Sequence, residues 1–170
     1  MSIRDQIREL VAEGLLTCLE SVDFGEETPR SIFVSNEVAE DLTRPFPKNR
    51  EVLHAEFLQQ LDAFLENCEM TVADDPHTKP SHALMARVAP VEDDFFDFRI
   101  TSPFPQIRAF GGFSEWNSFV IVTWNYRDAI GDDFDSEVTR CKTEWQKLFG
   151  KTPPFKGKNL DEYLSNCIPV

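Results

Sequence analysis

Three arginines stand in stretches that otherwise read as apolar strands: Arg99 in Phe96-Asp97-Phe98-Arg99, Arg108 in Ile107-Arg108-Ala109-Phe110, and Arg127 beside Tyr126 after Phe119-Val120-Ile121-Val122-Thr123. A guanidinium in a strand that leans toward burial needs a reason to be there, because desolvating it unpaired is costly. Either it pairs with a carboxylate, for which Asp97, Asp128 and Glu115 are near in the chain, or it faces an anion or phosphate on one sheet face.

The ordinary catalytic signatures are missing. No Walker loop, G-x-G-x-x-G, G-x-S-x-G or H-E-x-x-H occurs, and His54, His77 and His82 lack metal-ligand spacing. His77 and His82 share a polar stretch with Asp74 and Asp75, which reads as a solvated loop before it reads as a surface metal site. The acidic pairs Asp74-Asp75, Asp93-Asp94 and Asp132-Asp133 fall where turns or helix starts are expected, so they read as turn and cap residues. Cys18, Cys68, Cys141 and Cys167 are far apart with no C-x-x-C pair, which removes the zinc-ribbon and thioredoxin spacings. Reduced and mostly buried thiols are expected, with no cofactor and no metal.

The 170-residue chain carries a net charge of −13, unevenly spread: −10 over residues 1–82, −2 over 83–131 and −1 over 132–170. A broad nucleic-acid grip needs a basic stripe to neutralise phosphates, and the first half has none. DNA is therefore not expected as a partner, whereas a basic protein surface suits the acidic half. Charges interrupt the apolar residues of the N-terminus every three or four positions, and the longest strongly apolar stretch, 119–124, is strand-sized. The expectation is a cytoplasmic chain with no membrane segment.

These residues need elements to hold them. Apolar side chains from Ile3 to Val22 at three- and four-residue steps predict a helix over about 3–20. Ser31 to Val34 then reads as a short strand, and Ser35 as the cap of a helix that Pro45 must stop. Residues 50–68 make the strongest helix of the first half, and 71–82 an exposed loop. Alternation over 84–88 and 96–101 predicts two strands around Pro-Val-Glu-Asp-Asp, with a third over 106–113 bending at Gly111-Gly112 and a fourth over 118–127. The fourth is apolar on both faces and should be central. A last helix, 134–149, opens at Asp132 or Asp133 and closes at Gly150; the tail holds a short helix near 160–164. The expected fold is α+β: an antiparallel four-stranded sheet, plus one short N-terminal strand, packed by N-terminal helices and a C-terminal helix. It forms one domain over 1–170, with 1–30 as a helical extension, 31–149 as the core and 150–170 as a docked tail.

With those strands and the closing helix in that order, the second half resembles the RelE/ParE superfamily of bacterial toxins, in its HigB-like, phage-derived branch. The resemblance rests on Phe96-Asp97-Phe98-Arg99, Ile107-Arg108-Ala109-Phe110 and the run Phe119–Thr123 leading to Tyr126-Arg127, and covers residues 31–149. It implies a ribosome-dependent messenger RNA endonuclease of a toxin-antitoxin system, with Arg99, Arg108, Tyr126 and Arg127 as the catalytic set. The cations would stabilise charge on the transferring phosphate, and the tyrosine or a basic group would move the 2′-hydroxyl proton. The strong acidity points instead to a non-catalytic relative, an acidic protein-interaction or accessory module on the same scaffold. RNA or the ribosome is a partner only under the toxin reading.

Overall fold

The computed structural model describes residues 1–170. Its strands are β1 (Leu16–Cys18), β2 (Ser31–Ser35), β3 (Met70–Ala73), β4 (Met85–Arg87), β5 (Phe95–Ile100), β6 (Ile107–Glu115), β7 (Ser118–Tyr126) and β8 (Cys167–Pro169). Its helices are α1 (Ile3–Ala12), α2 (Asn36–Thr43), α3 (Glu51–Leu65), α4 (Arg127–Ile130), α5 (Phe134–Phe149) and α6 (Leu160–Tyr163). The strands form one sheet in the order β1-β2-β7-β6-β5-β4-β3-β8.

The expected four-stranded antiparallel sheet is overturned: the sheet is eight-stranded and mixed. β4 to β7 do pair antiparallel, but β2 lies parallel to β7, β3 parallel to β4, and β8 parallel to β3. The additions come from segments read otherwise. The first helix stops at Ala12, because Gly14 turns to a φ of +73°, and the residues after it become β1 instead of two further helical turns. β3 lies at the start of the stretch read as loop, and β8 in the tail. Strands of three or four residues place at most two side chains on a face, too few for alternation to be visible.

Alternation along the longer strands feeds two cores. On one face Phe96, Phe98, Ile107, Ala109, Phe113, Phe119 and Ile121 pack with Val38 of α2, with Leu53, Phe57, Leu61 and Phe64 of α3, and with Tyr163. On the other, Phe95, Phe110, Val120 and Val122 pack with Ile7 and Leu10 of α1 and with Val138, Cys141, Trp145 and Phe149 of α5. β7 feeds both cores, which explains why its sequence is apolar at every position from Phe119 to Val122. Ser35 caps α2 by accepting from the Val38 N–H at 3.4 Å, and Asp133 caps α5 by accepting from the Ser136 N–H at 3.3 Å. The β6–β7 ladder shifts register between Phe110 and Gly111, where a Cβ on Gly111 would stand 1.8 Å from the Val120 carbonyl oxygen. Only glycine admits that approach.

Arg30, just ahead of β2, is fully buried and meets no carboxylate. Its guanidinium donates to the carbonyls of Phe64 (3.1 Å), Cys68 (2.9 Å) and Ser165 (2.6 Å), tying the end of α3 to the C-terminal segment. The cysteines are all free, but Cys18 and Cys68 are exposed, against the expectation of burial; both lie near element ends at the molecular surface. No helix is long and apolar enough to cross a membrane.

Candidate anion-binding site

Asp97, Arg99 and Arg108 project from the α5 side of the sheet. Asp97 and Arg99 alternate with Phe96, Phe98 and Ile100, and Arg108 alternates with Ile107 and Ala109, so their polarity follows from the period of two. Arg99 and Arg108 are directly opposite each other across the β5–β6 pair. Like charges in that relation repel and need a nearby anion. α4 begins where β7 ends and delivers Arg127, while the connection between β3 and β4 brings in Lys79. Lys79 lies 5.1 Å and Arg127 5.8 Å from the centroid of the Phe134 ring, which holds both cations by its face.

Together these residues line two adjoining lobes. The inner lobe, about 250 Å³, has Pro76, Lys79, Asp97, Arg99, Arg108, Arg127 and Phe134 in its wall. The outer lobe, about 470 Å³, shares Lys79, Arg99 and Arg108 and adds Ser81, His82, Thr101, Ser102 and Gln106. Four cations thus surround one carboxylate. Asp97 is completely buried, and neither of its oxygens accepts a hydrogen bond; its nearest cation is Arg108 Nε at 3.7 Å. Of the carboxylates that could have paired the arginines, Asp97 alone does so. Glu115 bridges Arg4 instead, and Arg99 and Arg127 have no ion pair.

The donors are held in place by backbone. Arg99 Nη1 donates to the Pro80 carbonyl at 2.8 Å, leaving its buried Nε unpartnered. Arg108 donates through Nη1 to the Ile107 carbonyl at 3.0 Å and through Nη2 to Gln106 Oε1 at 3.1 Å. Gln106 has a φ of +67°, an uncommon left-handed conformation for a residue with a side chain. From there its carbonyl accepts the Arg127 N–H at 3.0 Å, so one strained residue orients two of the arginines. Burial raises the Asp97 carboxyl above the ordinary carboxylate range, against the pull of Lys79, Arg108 and Arg99. Burial also lowers Lys79 and Arg99, and brings Arg108 down to about 10. Each shift has the sign expected of charge held away from water without full compensation.

No protein-family model, no curated protein and no solved structure matches this chain.

Tyr126 is not brought to the arginines. It points to the α3 face, where its hydroxyl and His54 Nε2 are 2.6 Å apart and the Arg50 guanidinium lies 3.9 Å from its ring centroid. Trp124 on the same face donates from Nε1 to Asp41 at 2.9 Å, and the His54 ring stacks on Phe46. Of the four residues singled out from sequence, Arg99, Arg108 and Arg127 share the pocket and Tyr126 lies across the sheet. Lys79, His82 and Gln106 are the additions. Lys79 had one visible signal, being the only lysine or arginine between Arg50 and Arg87. No group of three His, Cys, Asp or Glu side chains is placed to hold a metal ion. A second cleft of about 450 Å³ beside α5 carries Glu92, Asp93 and Asp94 together with Lys142, Lys151 and Lys156. Its charges largely cancel, as Lys142 pairs with Asp93 and Lys156 reaches Asp94 at 3.7 Å.

Proposed function

We propose that this chain is a non-catalytic accessory module that binds an anionic group in the pocket of Lys79, Arg99, Arg108 and Arg127. One observation carries the reading: of two arginines directly opposite each other on neighbouring strands, only Arg108 pairs with the one buried carboxylate of the pocket, which accepts no hydrogen bond, and Arg99 has no ion pair. An oxyanion entering from the open side neutralises the excess positive charge and takes up donors left over, in the charge-assisted geometry guanidinium groups favour. The ligand is small, because a chain with −10 on residues 1–82 repels an extended polyanion.

Calorimetric titration with inorganic phosphate tests this. Saturable one-site binding is expected, weakened by about tenfold or more in Arg108→Gln, the loss for one hydrogen bond to a charged group. Absence of binding, or equal affinity in a folded Arg108→Gln variant, overturns it.

The toxin-like endonuclease reading draws on the convergence of Arg99, Arg108 and Arg127 on one open pocket. Against it, Tyr126 is engaged with His54 on the far face. Growth arrest with loss of messenger RNA on induction, abolished by Arg108→Ala, would favour that reading over simple binding.

A further inference from the structure

The two lobes differ in chemistry, and the difference describes a ligand with parts. Arg99, Arg108 and Lys79 line both lobes; Arg127 and the ring of Phe134 belong to the inner one, while the outer has no apolar side chain and presents the hydroxyls of Ser81, Thr101 and Ser102. Along the chain, between two residues of its lining, a large apolar side chain is left in water. Phe104 is 79% exposed, on the connection between β5 and β6, two residues from Ser102 and two from Gln106, both of which line the outer lobe. Cations for a phosphate, hydroxyls for a polyol and an exposed ring for a flat apolar surface form the sequence of groups that a nucleotide presents. The combined space is of the size of small-molecule sites, about 300–1,000 Å³.

Resting on the anion-binding reading above, we infer that the ligand is a mononucleotide: its phosphate lies among Arg99, Arg108 and Arg127, its ribose against the hydroxyl-lined lobe, and its base on Phe104. Base stacking on an aromatic side chain needs a ring that the protein does not cover, and Phe104, between the lining residues Ser102 and Gln106 in the chain, is such a ring. The acidity of the remainder limits the ligand to one or few phosphates.

The test is a ladder of ligands titrated calorimetrically into the full chain and into Phe104→Ala: inorganic phosphate, ribose 5-phosphate and adenosine monophosphate. Affinity should rise at each step. Phe104→Ala should weaken the nucleotide about tenfold, to the level of ribose 5-phosphate, and leave the other two unchanged. Phe104→Trp should retain nucleotide affinity. Because Phe104 is exposed, its truncation leaves the fold intact, which an unchanged melting temperature checks. Phosphate binding with no gain for the nucleotide, or a nucleotide affinity indifferent to Phe104→Ala, overturns the inference while leaving the anion site standing. Failure of all three ligands overturns both. Tighter binding of a short single-stranded RNA than of the mononucleotide overturns the restriction to a single nucleotide.

Discussion

Lys79 is the pocket cation whose charge is most easily lost. Burial loosens its hold on its proton, Arg99, Arg108 and Arg127 loosen it further, and Asp97 only partly restores it. Anion affinity that depends on this charge is present below the lowered value and declines as pH rises through it, before an ordinary lysine would titrate near 10.4. Sulfate, whose own charge is constant over that range, is the ligand that exposes the effect: its affinity should begin to fall at lower pH in the parent chain than in Lys79→Arg, since in the same surroundings a guanidinium holds its proton more tightly than an ammonium. Parallel pH profiles in the two would sink the role given to Lys79. At this scale the sequence was informative about the arginines, because a charge in an apolar strand is visible without a structure. It gave only a faint signal for Lys79, a lone cation that reaches the pocket from a connection with no pattern, and was misleading on Tyr126. Adjacent residues at the end of a strand can face opposite ways, and Tyr126 and Arg127 divide at the junction of β7 with α4.

Among the elements, α3 is fastened at its C-terminal end by a side chain from outside itself. The carbonyls of a last helical turn carry partial negative charge and lack partners, and Arg30 supplies donors to Phe64 and, just beyond, Cys68. Burial alone brings the Arg30 guanidinium down to about 10, with no carboxylate opposing it. Arg30→Met keeps the volume and strands the carbonyls of Cys68 and Ser165, while that of Phe64 keeps the Asn67 N–H, so unfolding in urea should show a loss of roughly 3 kcal/mol with an unchanged denaturant slope. An unaltered midpoint would mean that water replaces the guanidinium at no cost. The long elements, α3, α5 and β5 to β7, were legible because their periods of 3.6 and 2 run for enough residues to be seen. β1, β3 and β8 were not, and with them went two of the three parallel pairings; the third, β2 with β7, joins two strands that were read but not paired. Parallel neighbours are brought together by chain that crosses the sheet, and no short-range pattern records which strand a crossover will reach.

For the molecule as a whole, charge is divided between a strongly acidic N-terminal half and a pocket with a local surplus of cations. Anions should therefore be sorted by length. A long polyanion such as heparin is expected to show no measurable binding at physiological ionic strength, by fluorescence anisotropy or by retention on a column, although single phosphate groups bind. Retention of the chain at that ionic strength would contradict the division. The walls of the pocket also have a narrow origin in the chain, all lying between Pro76 and Phe134, on or beside the antiparallel run from β4 to β7. The flanks are different: the β1–β2 pair joins the sheet through β2 on β7, and β8 through β3, both of which are pairings between distant parts of the chain. Loop closure makes such distant pairings slow to form, whereas neighbouring antiparallel strands zip locally. In kinetic terms the pocket belongs to the part of the sheet able to assemble first, so fraying inward from either edge can begin without dismantling it.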